Sequence, residues 1–427
     1  MKRITRREFI KTSATFGAYA CCSAALGIGA PRLVYGQTSG VNRNMVVCFN
    51  LFGGCDDLNS FCIPFSRGTY YDIRPNIGIP AGQVLAVNSE FGFHPALQNL
   101  YSLYNEGSVG VVLKAGEPVG TRSHFTSQDI MSLGVGSVRS RENRGWIGRL
   151  GDEYFRQDQF NTFALGVGRK VDFTAERFTN PAIVVSNLAS YRLQDDSKGG
   201  MAGVARDSLL QKDVAIQLYG SDKQVSGDMR DAARRAMDNM HKEVPYIQQL
   251  VTNNPPTVTY PNTRAGAYLR DVGMLARSGV GAKLAYGGMG GWDNHASQGG
   301  VTGTQSTLLS QFDAALGAFV TEMKNFNLWD KVALVVFTEF GRTKRQNTSG
   351  GTDHGWASTI LVIGGSVSGG VYGDVPSNAD LSESRNWIVP STDYRNPFSE
   401  MIDWLGYDSA PIFTDQFVRN QMGLFRV

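Results

Sequence analysis

Five short runs of strand type, separated by stretches of helical spacing, constrain this chain more than any other feature. They fall at residues 45–51 (MVVCFNL), 109–113 (VGVVL), 282–286 (AKLAY), 332–337 (VALVVF) and 360–363 (ILVI). Runs that are apolar at successive positions, rather than at alternate ones, fit strands covered on both faces. Helical spacing intervenes at Leu97, Leu100 and Tyr104, at 265–277, and at Leu308, Phe312, Leu316, Phe319 and Met323 within 307–325. Residues 123–132 have the composition of a helix start. The pattern predicts an α/β fold with a mostly parallel central sheet between two helical layers. Residues 136–261 read as an irregular elaboration rich in Gly, Asn, Arg and Ser, apart from a helix carrying Met229, Ala233, Met237, Met240 and Val244 on one face. At 427 residues, 42% hydrophobic and 19% charged, the chain is not intrinsically disordered.

The first 36 residues read separately. Arg6-Arg7, within Thr5-Arg6-Arg7-Glu8-Phe9-Ile10-Lys11, precede a weakly apolar run at 14–30. That arrangement looks like a twin-arginine export signal, too weakly hydrophobic to span a membrane, with cleavage expected near Gly36 and lipidation of Cys21 as the less favoured alternative. The expected partner during export is the twin-arginine translocase, and the expected destination is the periplasm or cell surface. Residues 37–427 then form one domain without a transmembrane span. The leader holds six of 41 basic residues and one of 38 acidic ones, leaving 35 against 37 in the body. A net −2 carries no nucleic-acid footprint. Cys48, Cys55 and Cys62 form an odd set within fifteen residues, so no disulfide framework is expected.

Acidic and histidine residues gather after the predicted strands, where open α/β sheets place ligands. Asp56 and Asp57 follow the first, Asp293 and His295 the third, and Glu339 the fourth, while Asp353 and His354 precede the last. Carboxylates with neutral imidazoles are ligands for Zn²⁺, Mn²⁺ or Mg²⁺ in hydrolytic sites. Plainer roles suit the same residues: Asp293 capping a turn, Glu339 paired with Arg342, and 352–355 as a simple turn. Of the other histidines, His94 suits a helix cap and His241 a solvated helix face. His124, at the start of the 123–132 helix, stands where backbone N–H groups bind anions, though it too suits a cap.

Taken together, Gly53-Gly54-Cys55-Asp56-Asp57-Leu58-Asn59, His94-Pro95-Ala96-Leu97, Ser123-His124-Phe125-Thr126-Ser127-Gln128-Asp129, Gly290-Gly291-Trp292-Asp293-Asn294-His295, Thr338-Glu339-Phe340-Gly341-Arg342 and Gly351-Thr352-Asp353-His354-Gly355 resemble the DUF1501 proteins, bacterial proteins usually exported by the twin-arginine route. That family in turn resembles a branch of the alkaline phosphatase and sulfatase superfamily, an α/β/α sandwich around two metal positions. The resemblance implies that Asp56 is the first metal-binding Asp, that the nucleophile lies in 123–128, that Asp293 and His295 are the Asp–His pair of one metal position, and that His354 is the last metal histidine. Glu339-Phe340 stands where the superfamily carries Asp-His, a departure that removes an imidazole. The implied principal site is Asp293, His295 and His354, with Asp56, Glu339 and Asp353 assisting. Zinc or manganese is expected there, and magnesium or calcium at a weak second site. Ser123 or His124 is the implied nucleophile or anion contact, with Arg342 for oxyanion charge.

The resulting expectation is an exported metal-dependent hydrolase of a phosphate or sulfate ester, its substrate a small molecule or glycan. The alternatives are a non-catalytic periplasmic or surface protein that binds through a degenerate site, or a partner in assembling another surface protein.

Overall fold

The computed structural model describes residues 44–137, 139–142, 144–154, 161–165, 183–185, 187–188, 246–413 and 415–426. The leader, His241 and the helix expected around Met229 to Val244 lie outside them. The strands are β1 (Met45–Phe52), β2 (Leu85–Ala86), β3 (Gly92–Phe93), β4 (Val109–Gly116), β5 (Asn161–Leu165), β6 (Ile183–Val185), β7 (Ala282–Gly290), β8 (Val332–Phe337), β9 (Ser358–Ile363), β10 (Gly370–Tyr372) and β11 (Thr392–Asp393). The main sheet runs β10-β4-β9-β8-β1-β7-β5-β6, with β11 also beside β4, and β2 and β3 form a separate hairpin. β9 is antiparallel to both its neighbours, β4 and β8, and the other pairings of this sheet are parallel.

Both faces of the sheet are covered, which is why its central strands are apolar at successive positions. Met45, Val47, Phe49 and Leu51 of β1 point to one side. There they meet α1 (Gln98–Asn105) through Leu100 and Leu103, α4 (Arg264–Ser278) through Leu269 and Val272, and α5 (Thr304–Asn325) through Phe312 and Leu316. Phe49 packs edge-on against Phe312, ring centroids 5.2 Å apart. Val46 and Cys48 point to the other side. They meet α2 (His124–Leu133) through Ile130 and Met131, α3 (Trp146–Tyr154) through Trp146 and Leu150, and α6 (Arg395–Trp404) through Phe398 and Met401. Each such side chain contributes about 1.5–3 kcal/mol by leaving water. The result is the expected α/β/α arrangement.

Two details differ from the sequence reading. Part of the 136–261 elaboration joins the sheet, since β5 pairs with β7 and β6 with β5, and α3 belongs to the second core. The strand expected at 282–286 continues to Gly290, through a Gly-Gly-Met-Gly sequence that resembles a loop. Gly288, at φ +149°, lies so close to β1 that a Cβ there would sit 1.9 Å from the Asn50 carbonyl oxygen. Cys48, Cys55 and Cys62 are buried free thiols. Among the described residues no helix is long and apolar enough to cross a membrane.

The contact at Gly288 can be tested by substitution. Gly288→Ala adds a methyl group where two backbones touch and imposes a φ that alanine resists. Its expected cost is about 3 kcal/mol or more, read as a lower urea midpoint at unchanged slope.

Candidate active site

The polar segments converge because of where each strand ends. β1, β7, β8 and β4 deliver 53–56, 291–295, 338–342 and 117–124 to the carboxyl edge of the sheet. β9 runs the other way, so the connection from β8 to β9 lies wholly at that edge and brings Asp353 and His354 back to it. Tight packing holds these loops together. Gly53 takes φ +124°, and a Cβ on it would stand 2.6 Å from the Asp293 backbone nitrogen.

Three imidazoles surround one carboxylate. His295 Nε2 lies 2.9 Å and His354 Nε2 3.2 Å from Asp293 Oδ1, while His124 Nε2 lies 3.5 Å from Asp293 Oδ2. Each ring has its Nδ1 facing an acceptor. His124 Nδ1 is 2.9 Å from Glu339 Oε1, His295 Nδ1 is 2.9 Å from Asp353 Oδ1, and His354 Nδ1 is 3.0 Å from the Arg122 carbonyl oxygen. Each Nε2 also faces the Asp293 carboxylate, so a neutral ring with its proton on Nδ1 presents the Nε2 lone pair inward, whereas a protonated ring donates from both nitrogens. His295 Nε2 and His354 Nε2 are only 3.1 Å apart. Two lone pairs at that distance, beside a carboxylate, repel unless a cation or a shared proton lies among them. His124, Asp293 and His354 each offer a ligand atom, all within 4.8 Å of one another. Asp293 and His295 are 45% exposed, so the cluster opens to solvent.

The electrostatics follow from the surroundings. Burial works to raise the Asp293 pKa, but hydrogen bonding to Arg342, the guanidinium charge and contact with His354 bring it down to about 2. The Glu339 hydrogen bond raises the pKa of His124 against the effect of burial, whereas burial lowers that of His354. Bonding to His295 lowers that of Asp353. Glu339 Oε1 also accepts from the Gly53 backbone N–H (2.9 Å) and Gln128 Nε2 (3.1 Å), so it orients His124 from behind. Phe340 lies against His124 and His354, centroids 4.9 and 4.8 Å away.

Two expected site residues have other occupations. Asp56, expected as a metal ligand, is buried and bound by Arg74 at 2.6 and 2.9 Å, with Gln298 Nε2 2.6 Å from Oδ2. Both carboxylate oxygens are thus taken, away from the imidazoles. Arg342, expected to face an oxyanion, donates to the carbonyls of Gly53, Gly54, Trp292 and Thr352 and lies 2.5 Å from Asp293 Oδ1. Its side chain is fully buried. Ser123 is the N-cap residue of α2, and its hydroxyl accepts from Thr126 Oγ1 at 3.2 Å. His94, expected as a helix cap, is buried, its Nδ1 accepting from the Ala96 N–H and its Nε2 3.1 Å from the Gly300 carbonyl oxygen; Ala96 precedes α1, whose N-cap is Leu97, so His94 fixes the turn before the helix rather than capping it. Sequence reasoning missed Arg74 and Gln298 as partners of Asp56, because neither lies in a pattern that signals a buried partner. It also left His124 open between cap and anion contact, whereas its place in α2 turns the ring toward Asp293.

Residues 90–412 match the family described as proteins of unknown function, DUF1501. The chain belongs to the DUF1501 family. No curated protein matches this DUF1501 chain. Among solved structures it overlaps the lipoteichoic acid synthase LtaP from Listeria monocytogenes, with TM-score 0.37, 9% identity, and 92% of this chain and 79% of that one covered. A protein in the alkaline phosphatase superfamily from Vibrio parahaemolyticus gives TM-score 0.36 and 11% identity over 97% and 78% of the two chains. The phosphonate monoester hydrolase of Agrobacterium radiobacter gives 0.31 and 12% over 85% and 74%. These overlaps are loose, and the chemistry of the DUF1501 site rests on its own side chains.

Breaking the Asp56–Arg74 pair separates its role from that of the imidazole cluster. Arg74→Met strands a buried carboxylate and is expected to cost about 3–5 kcal/mol, measured by urea unfolding. The same loss from His354→Ala, at the open cluster, would contradict this division of roles.

Proposed function

We propose that this protein is an exported, metal-dependent hydrolase of a phosphate or sulfate ester. The observation that carries the reading is the inward convergence of three imidazole Nε2 atoms on Asp293, each ring fixed from behind by an acceptor at Nδ1. Metal-binding histidines are oriented by such outer partners, which also strengthen the ring as a ligand. His124, His295, His354 and Asp293 would hold the metal, with Glu339 and Asp353 behind two of the rings. Imidazole and carboxylate donors suit zinc or manganese. A divalent cation there supplies Lewis-acid charge to an ester oxygen.

The chain's own residues do the rest. With His124 among the ligands, Ser123 is left as the nucleophile, at the start of α2 beside the cluster. Backbone N–H groups at a helix start favour a bound anion, which suits an ester whose nonbridging oxygens carry negative charge. The order of motifs, with Asp293-Asn294-His295 and then His354 before the last central strand, supports a place beside the alkaline phosphatases and sulfatases. Asp56, bound by Arg74, has no ligand role in this reading, so one metal position is favoured over two. The Arg6-Arg7 leader supports export, and with it a periplasmic or surface location.

A binding protein on the same fold is the second reading. It is favoured by Phe340, which fills the space against His124 and His354, and by the contacts of the Ser123 hydroxyl, whose hydrogen-bond partner is Thr126 rather than a base. Elemental analysis of protein exported from its native host, compared with a His295→Ala, His354→Ala double variant, tests the metal. About one zinc or manganese per chain, lost in the variant with the fold intact, is expected, and metal in neither protein would overturn the reading. Metal retention should fall as pH drops through the imidazole range near 6.5, because protons compete for the same Nε2 lone pairs. Turnover of p-nitrophenyl phosphate or sulfate by the loaded protein, abolished by Ser123→Ala, separates hydrolase from binding protein. A loaded protein inert toward a broad ester panel favours the second reading.

A further inference from the structure

The Arg342 guanidinium is enclosed by carbonyls, which raises the question of which cation could meet a bound oxyanion. Arg122 borders the imidazole cluster. Its carbonyl oxygen holds His354 Nδ1 at 3.0 Å, so its backbone is joined directly to the imidazole cluster. Its φ of +52° is in the left-handed region, which a non-glycine residue adopts at a cost and which gathers at functional sites. Its side chain is exposed, and no carboxylate among the described residues pairs with it. The guanidinium lies 4.0 Å from the centre of the Trp387 ring. Stacking on an aromatic face fixes the plane of the guanidinium while leaving its N–H groups free to donate.

Both supports of this pair are built in. The loop before Arg122 is held by Trp356 Nε1 donating to the Glu117 carbonyl (2.8 Å), and by Glu117 Oε1 accepting from the Thr121 N–H (2.9 Å) and the Ser127 hydroxyl (3.0 Å). Trp387 is pinned on either side. The Asn386 carbonyl accepts from the Lys344 N–H at 3.2 Å, and the Ile388 carbonyl from the Ala357 N–H at 3.0 Å. An exposed arginine with a strained backbone, a fixed plane and no acid partner is organised for something outside the chain.

We propose that Arg122, backed by Trp387, binds the nonbridging oxygens of a tetrahedral oxyanion, phosphate or sulfate, at the imidazole cluster. The proposal rests on the hydrolase reading for the substrate class but does not require turnover. Isothermal titration of the metal-loaded protein with inorganic phosphate, and separately with inorganic sulfate, tests it. Arg122→Gly removes the guanidinium and suits the positive φ, so the fold should hold, as checked by the thermal midpoint. Its dissociation constant for the preferred anion should rise about 10- to 100-fold, the range for a charge-assisted hydrogen bond, with metal content unchanged. Arg122→Lys should recover part of the loss, and Trp387→Leu should show a smaller loss than Arg122→Gly. Unchanged affinity in Arg122→Gly, or a loaded wild type that binds neither anion, overturns the proposal and leaves the metal site standing. Anion binding that depends on Arg122 in protein holding no metal supports the proposal while removing the metallohydrolase.

Discussion

The buried guanidinium of Arg342 ties together loops that are distant in sequence. It donates to carbonyls of Gly53 and Gly54 after β1, Trp292 after β7 and Thr352 before β9, and it holds the Asp293 carboxylate at 2.5 Å. Carbonyl oxygens compensate a buried guanidinium only while all of them stay in place. The same contacts therefore fix where Asp293 stands and how close the 353–354 segment approaches it. Without that clamp the imidazoles would face solvent from separate loops, with no common centre.

The sheet makes the clamp possible. Parallel strands send their carboxyl ends to one edge, and the antiparallel β9 allows the segment after β8 to remain there until it has delivered His354. α2 starts at the same edge and adds His124, with Glu339 at the end of β8 holding its far nitrogen. The site thus draws on β4, β1, β7, β8 and β9, each through the few residues outside its end.

Much of this was legible in the sequence. β1, β8 and β9 are apolar at successive positions because helices cover both faces, and the strand-end motifs were visible as Asp and His among glycines. β7 was half-hidden, because close approach to β1 demands glycines that imitate a loop. The site was legible in part. Asp293, His295, His354, Asp353 and Glu339 come together, but Asp56 next to a strand end looks the same in sequence whether it faces a metal or a buried Arg74. Which partner it meets depends on a contact eighteen residues away. The same holds for Arg342, whose donors are enclosed only once the segments after β1, after β7 and before β9 have come together around it.

In the proposed metal centre His124, His295 and His354 share one cation with Asp293. X-ray absorption spectroscopy at the edge of the bound metal reads that arrangement directly. The expected result is a first shell with imidazole nitrogens at about 2.0–2.1 Å and a carboxylate oxygen in the same range, with the imidazole scattering reduced in His124→Ala. A shell made of oxygens alone, or an imidazole signal that His124→Ala leaves intact, would contradict it.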